Sequence, residues 1–137
     1  MTDAKSTRVF LMTLLTMLGM CGIVVLCSLS PLSTLGEHAN QFGDSGMFSA
    51  LLGVAAPYLV PGILLASGFW AAKIVLAVVH GVFFLGSAAV GITAFILWQT
   101  LFSAQPDAAM IGLLLCCAAT AVLHIVWFPM AFLKEKR

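Results

Sequence analysis

Two histidines, His80 and His124, are the residues of this chain best suited to chemistry, because each stands in a long stretch without a charged side chain. A neutral imidazole can ligate the iron of a b-type haem, take part in a proton relay, or form a hydrogen bond between helices. A haem would need a wide cavity flanked by small residues, whereas a hydrogen bond needs only a second polar group. The choice depends on the elements that hold the two rings.

The four cysteines also fall in apolar runs: Cys21, Cys27, Cys116 and Cys117. None has the C-x-x-C spacing of a thiol oxidoreductase, and none lies in a polar segment. Adjacent residues of a helix point about 100° apart, so the sulfurs of Cys116 and Cys117 cannot readily share one soft metal ion. We predict that all four pack as small hydrophobic side chains.

The composition indicates which solvent surrounds these residues. Hydrophobic residues make up 62% of the 137-residue chain and charged residues 8%, with a mean hydropathy of +1.14. Soluble domains are about half apolar and a quarter charged, so we predict a membrane protein. In hydrocarbon the backbone must satisfy its own hydrogen bonds, and the continuous apolar runs favour helices over a closed barrel. A net charge of +1 offers no basic surface for nucleic acid.

Four apolar stretches are long enough to cross roughly 30 Å of hydrocarbon as helices. The predicted spans are residues 9–28, 47–67, 74–98 and 108–133, within a single transmembrane domain at residues 1–137. The first run exceeds the usual signal-peptide core of about 7–15 residues, and no small-residue cleavage site follows it, so we expect it to be retained. The only long polar segment is a loop at residues 29–46.

The basic residues predict the orientation. With four spans, the segments 1–8, 68–73 and 134–137 share one side and contain all six Lys and Arg residues, whereas the charges on the other side are all acidic. Because Lys and Arg concentrate on the cytoplasmic side, we place both termini in the cytoplasm. The predicted fold is therefore an all-α integral membrane bundle of four antiparallel helices in the inner (cytoplasmic) membrane.

Four side chains are expected near the membrane surfaces. Trp70 and Trp127 fall near the predicted inner interface and Trp98 near the outer one, where amphipathic rings prefer to lie. Lys73, beside the turn after the second span, is expected to extend its ammonium group to the headgroups.

The predicted topology gives His80 and His124 a similar depth, about 10–15 Å below the inner surface at 1.5 Å per residue. Three glycines follow on the third span: Gly81, Gly86 and Gly91. They could flank a haem, and they equally allow close packing through spacings such as Ala77-x-x-x-Gly81. We predict a hydrogen-bonded structural pair or two unrelated histidines. The main alternative is cofactor binding, a haem b ligated by His80 and His124, and a proton relay or a metal site remains open.

Pro57 and Pro61 lie one helical turn apart in the second span. Neither has an N–H, so the carbonyls of Gly53 and Pro57 lose their helical partners. Transporters use such broken helices to bind ions or substrates at the midplane, but proline also occurs in membrane helices as a plain kink. We predict a kink in which Tyr58 donates its hydroxyl to one of the freed carbonyls, with a small transporter or channel as the alternative.

The sequence carries no signature of an enzyme. It lacks G-x-S-x-G and H-E-x-x-H, and its spans contain no carboxylate to orient a histidine. Glycine-rich and alanine-rich helices with few polar groups favour association between helices. We therefore predict a non-catalytic multi-pass protein whose partners, besides the lipid bilayer, are another membrane protein or a second copy. It would act as an accessory subunit, an immunity protein or a regulatory protein.

Overall fold

Four long helices make up almost all of the described chain. A computed structural model describes residues 3–102 and 107–133. Its elements are α1 (Asp3–Leu29), a short 3-10 helix (Pro31–Thr34), α2 (Ser45–Ala66), α3 (Ala72–Thr100) and α4 (Ala108–Phe132). Within the described ranges there is no strand, and all four α-helices are long and apolar enough to cross a membrane. The predicted all-α class with four membrane-spanning helices is therefore confirmed.

Polar residues and a glycine mark the helix ends. Asp44 caps α2 by accepting a hydrogen bond from the Met47 N–H at 2.6 Å, and Asp107 caps α4 in the same way through the Met110 N–H at 2.7 Å. After α2 the chain turns at Gly68, whose φ of +91° suits a residue without a Cβ. Helices α1, α2 and α3 are longer than the predicted spans because a backbone helix continues beyond the apolar side chains that define a span, whereas α4 ends one residue before the predicted end of its span.

Each helix packs against its neighbours in sequence, and α1 closes the bundle against α4. Helices α1 and α3 lie diagonally opposite and touch little. This is the up-down-up-down arrangement of a four-helix bundle with short connections. One end, called here the termini end, carries the start of α1, the turn at residues 67–71 and the end of α4. The loop end carries residues 30–44, the end of α3 and the start of α4.

Two groups of buried side chains fill the bundle. The group nearer the termini end consists of Val9, Leu65, Ala72, Leu76, Trp127 and Ala131. The group nearer the loop end consists of Met20, Ile23, Tyr58, Ala94, Met110, Leu113 and Cys117. Between helices α1 and α4 the contact is close at Gly19, where an added Cβ would lie 2.5 Å from the Thr120 hydroxyl oxygen. The glycine therefore sets how near these two helices can lie.

The cysteines take the packing role that was predicted for them. All four are free thiols, and Cys117 is buried while the other three are half-buried. Cys116 also donates a hydrogen bond from its thiol to the Gly19 carbonyl at 3.4 Å, which adds a polar contact between α4 and α1.

Candidate functional site

The two membrane histidines meet at the centre of the bundle. His80 on α3 and His124 on α4 are both fully buried, and their Nδ1 atoms lie 3.1 Å apart. Their ring centroids are 5.1 Å apart, with the ring planes at 79°. The structure thus brings together the two residues that the sequence singled out, through a direct hydrogen bond between neighbouring helices.

This hydrogen bond fixes the relation between the two imidazole tautomers. One proton is shared between the two Nδ1 atoms, so one ring carries its proton on Nδ1 and the other has a bare Nδ1. In the neutral pair, the first ring therefore has a bare Nε2 and the second has an Nε2–H. The pair offers one hydrogen-bond acceptor and one donor at its two Nε2 atoms.

Aromatic rings enclose the pair. The indole of Trp127 stacks on His80 with centroids 4.2 Å apart and planes at 18°. Tyr58 meets His80 edge-on at 5.3 Å, and Phe84 meets His124 edge-on at 6.3 Å. These contacts hold both imidazoles in an apolar setting, where an uncompensated charge is strongly unfavourable.

Trp127 connects this cluster to α1. Its indole Nε1–H donates to the Thr13 hydroxyl oxygen at 2.8 Å, and the Thr13 hydroxyl donates to the Val9 carbonyl at 2.8 Å. Trp127 is fully buried, so the prediction that it lies as an anchor at the membrane surface is wrong. The part of α4 around Trp127 is apolar on every face, so hydropathy does not indicate which face points into the bundle, and only the packing shows it.

Three buried polar atoms of the cluster have no hydrogen-bond partner among the described residues: the Tyr58 hydroxyl, His80 Nε2 and His124 Nε2. The predicted hydrogen bond from Tyr58 to a carbonyl freed by Pro57 or Pro61 is therefore not formed. The reason lies in side-chain direction, because Tyr58 points into the bundle against His80 and Phe83, away from its own helix backbone.

The pair does not fit a haem in this arrangement. A metal ion held by imidazole lies about 2 Å from each ligating nitrogen, so the nitrogens of two axial ligands are roughly 4 Å apart on opposite faces of the macrocycle. His80 and His124 instead touch directly, which leaves no space for a porphyrin between them. The described residues also contain no group of three or more His, Cys, Asp or Glu side chains placed to hold a metal ion.

Lys73 turns inward, contrary to the expectation that it reaches the headgroups. Only 8% of its surface is exposed, and its ammonium group donates to the Ala131 carbonyl at 3.3 Å. The same group lies over the rings of Phe132 and Trp70, at 4.6 Å and 5.3 Å from their centroids. Lys5 makes a similar hydrogen bond to the Leu133 carbonyl, so two amines cap the end of α4.

An open apolar groove runs between α3 and α4 on the outside of the bundle. It encloses about 420 Å³. Small residues that line it are Ser87, Ala88, Gly91, Ala118 and Ala121. At Gly91 a Cβ would lie 3.2 Å from the Cys117 Cβ, so this glycine serves close packing as predicted. At Gly81 and Gly86 a Cβ would meet nothing within 4 Å, so packing inside the bundle does not require them.

Two further cavities lie on either side of the histidine pair along the bundle, one towards the loop end and one towards the termini end. The one near the loop end, called here the vestibule, encloses about 410 Å³ and reaches from Ser33 and Asn40 down to Met20 and Phe83. The one near the termini end, called here the lower pocket, encloses about 330 Å³. Its lining includes Ser6, Thr7, Phe10, Leu65 and Trp70. Sequence reasoning did not identify either cavity, because both form between helices.

The fold and this site define a small multi-pass membrane protein with a buried histidine pair at its centre. The chain belongs to a family of unknown function (DUF5391), which matches residues 1–136. It is similar to the uncharacterized protein YxaJ of Bacillus subtilis (strain 168), with 33% identity over 132 residues that cover 94% of this chain and 90% of that relative. No solved structure matches the chain.

Proposed function

We propose that this chain is a non-catalytic protein of the cytoplasmic (inner) membrane that binds one transmembrane helix of another membrane protein in the α3–α4 groove. Its role would be that of an accessory subunit, an immunity protein or a regulatory protein. The observation that carries the proposal is the groove itself, which is apolar and lined by small side chains. Helices associate in lipid where small residues let two backbones approach closely, because apolar surface alone gives no preference over lipid.

The orientation that accompanies this proposal places the termini end in the cytoplasm. In the sequence, all six Lys and Arg residues stand near the start of α1, at the start of α3 or after α4, which are the segments assigned to the cytoplasm. The acidic residues Glu37, Asp44 and Asp107 stand in the two segments assigned to the opposite side. The partner helix would then lie beside the half of α3 that leads towards the outer surface, where Ser87 and Gly91 stand.

Adjacent alanines on α4 allow a matched test. Ala118 and Ala119 are both exposed, but only Ala118 lines the groove. A photo-crosslinking amino acid placed at Ala118 should capture the partner in native membranes, whereas the same group at Ala119 should capture lipid. Ala118→Leu should abolish co-purification of the partner in mild detergent, while Ala119→Leu should preserve it.

The alternatives give different results in the same experiment. A crosslink from Ala118 to a second copy of this chain would replace the proposed partner by self-association. Recovery of a free monomer alone, with equal and partner-free labelling at both positions, would contradict the proposal.

A further inference from the structure

We propose a second function, independent of the groove: Tyr58, His80 and His124 bind small neutral molecules, of the size class of water and ammonia, at their buried polar atoms on a path through the bundle. The three side chains are fully buried, and three of their polar atoms have no partner among the described residues. Buried polar atoms in folded proteins are nearly always hydrogen-bonded, so three orphans in one cluster point to a partner from outside the chain.

The hydrogen bond between the histidines decides what the bound molecules must offer. Because the two Nδ1 atoms share one proton, one Nε2 is an acceptor and the other is a donor. The Tyr58 hydroxyl can act in either sense. Because the rings meet through Nδ1, each Nε2 lies on the far side of its own ring, so separate molecules bond to the two Nε2 atoms. A species that both donates and accepts hydrogen bonds can bond to every one of these atoms, whereas a pure acceptor or a pure donor can bond to only some of them.

The surroundings favour a neutral solute over an ion. The four predicted spans contain no Asp or Glu that could compensate a cation. The nearest basic group on α3, Lys73, lies two turns from His80 and is held by the Ala131 carbonyl and two aromatic rings. Transfer of an unpaired charge into such an interior is strongly unfavourable. A small neutral molecule loses only its hydrogen bonds to water, and polar atoms in the site can replace them.

The cavities lie in line with the site. The vestibule ends at Phe83, whose ring packs against Tyr58 with centroids 5.2 Å apart, and Tyr58 in turn packs against His80. On the other side Trp127 stacks on His80 and contacts Thr13, one turn of α1 beyond Phe10 of the lower pocket. The aromatic cluster thus separates two cavities that approach it from opposite ends of the bundle.

Helix α2 supplies the weak element beside this barrier. Pro57 and Pro61 lie inside α2, so the Gly53 and Pro57 carbonyls lack their usual backbone donors. Tyr58 stands between the two prolines, where the helix lacks two backbone N–H donors. Movement of this segment would shift Tyr58 and Phe83 apart and connect the vestibule to the histidines.

The proposal is tested with purified full-length chain in phosphatidylcholine and phosphatidylglycerol vesicles. Stopped-flow light scattering after an osmotic step reports water permeation. An enclosed pH dye reports ammonia entry after addition of ammonium chloride, since ammonia that crosses the membrane takes up a proton inside. We expect permeation several-fold faster than in protein-free vesicles in at least one arm, and the arm that responds identifies the solute.

Two substitutions of one histidine separate a path from a packing role. In His124→Asn the amide lies where Nδ1 was, so the bond to His80 is kept and Nε2 is lost; we expect permeation to fall to the protein-free rate. In His124→Gln the amide reaches the Nε2 position, and we expect partial recovery. Tyr58→Phe, which removes only the hydroxyl, should slow permeation, and His38→Ala in the loop should leave it unchanged.

Circular dichroism and monodispersity establish that each variant is folded before its rate is interpreted. Protein-free rates for the folded wild-type chain in both arms would overturn the proposal. Wild-type rates in His124→Asn and Tyr58→Phe would overturn it as well, because they would assign any permeation to another route. Loss of a partner through Ala118→Leu affects neither measurement, so the two proposals fail separately.

Discussion

The Nδ1 atoms of His80 and His124 lie 3.1 Å apart, and this contact joins α3 to α4 about one turn from the groove between the same two helices. His124 follows Ala121 of the groove by three residues, so the histidine pair and the groove share one helix–helix interface. The hydrogen bond therefore helps to define the separation of α3 and α4 on which the shape of the groove depends.

The first prediction concerns the orientation of the bundle. Alkaline phosphatase inserted in the loop at residues 34–46 should be active, and a fluorescent protein fused to the C-terminus should fluoresce, because the proposed orientation keeps the basic segments in the cytoplasm. The measurement is enzyme activity and fluorescence in whole cells. A C-terminal phosphatase that is active would contradict the cytoplasmic C-terminus.

The second prediction concerns the close approach of α1 and α4. Gly19→Ala should destabilise the bundle, because the new Cβ would lie 2.5 Å from the Thr120 hydroxyl oxygen and the helices would have to separate. Thr120→Ala in the same chain should restore stability by removing that oxygen and the neighbouring methyl group. Unfolding in mixed micelles with increasing sodium dodecyl sulfate measures both effects.

A control for this prediction is Gly53→Ala in α2, where a Cβ would meet nothing within 4 Å. This change should leave stability unchanged or raise it by up to about 1 kcal/mol, since alanine favours the helix. Equal destabilisation by Gly19→Ala and Gly53→Ala would show that the contact with Thr120 is not the cause.

The third prediction concerns the bond between Trp127 and Thr13. Thr13→Val should lower the free energy of unfolding by about 1 kcal/mol, because the buried indole N–H loses its acceptor. Thr100→Val is the matched control: Thr100 makes the same type of bond to the carbonyl four residues earlier, but it is exposed and, among the described residues, has no bond to another helix. Similar losses in both variants would assign the effect to helix propensity.

The fourth prediction concerns the cap of α2. The Asp44 carboxylate accepts hydrogen bonds from the backbone N–H groups of Met47 and Gln41. These bonds, with that from Met47 as the larger cause, lower the pKa of Asp44 below its usual value of 3.8. Because the pKa of Asp44 is lower in the folded state than in the unfolded state, its ionised carboxylate stabilises the folded chain at pH values above the unfolded-state pKa. This stabilisation is lost as the pH falls below about 4 and through the folded-state pKa. The protection of the Met47 amide against hydrogen exchange, measured relative to its intrinsic exchange rate at the same pH, should therefore fall in acid.

Asp44→Asn removes the titrating group. The Met47 amide of this variant should exchange faster than in the wild-type chain at neutral pH, and its protection relative to the intrinsic rate should not fall further in acid. Glu37→Gln in the same loop should leave the acid-induced loss unchanged. If Asp44→Asn retains that loss, another group controls the first turn of α2.

The fifth prediction addresses the haem alternative. Because His80 and His124 touch directly, the chain purified from haem-replete cells should show no Soret band before or after reduction with dithionite. A Soret band and a sharp α band that disappear in His80→Ala and His124→Ala would show that the two rings separate to hold a haem, and would replace the present reading of the site.

The sequence by itself determined the number of helices, their membrane-spanning character and the neighbourhood of the two histidines. These follow from uncharged apolar runs of sufficient length and from antiparallel order, which puts residues at matching distances from a common end at the same depth. The turn at Gly68 was also predictable, since glycine readily adopts a positive φ.

Only the tertiary structure decided which faces of the helices point inward. Trp127 lies in the core and Lys73 folds back onto the end of α4, although their positions near span ends suggested contact with the headgroups. The hydroxyl of Tyr58 likewise remains without the backbone partner that the nearby prolines suggested. In lipid both the buried and the exposed face of a helix are apolar, so hydropathy carries little information about facing, and interlocking shapes such as Gly19 against Thr120 decide it instead.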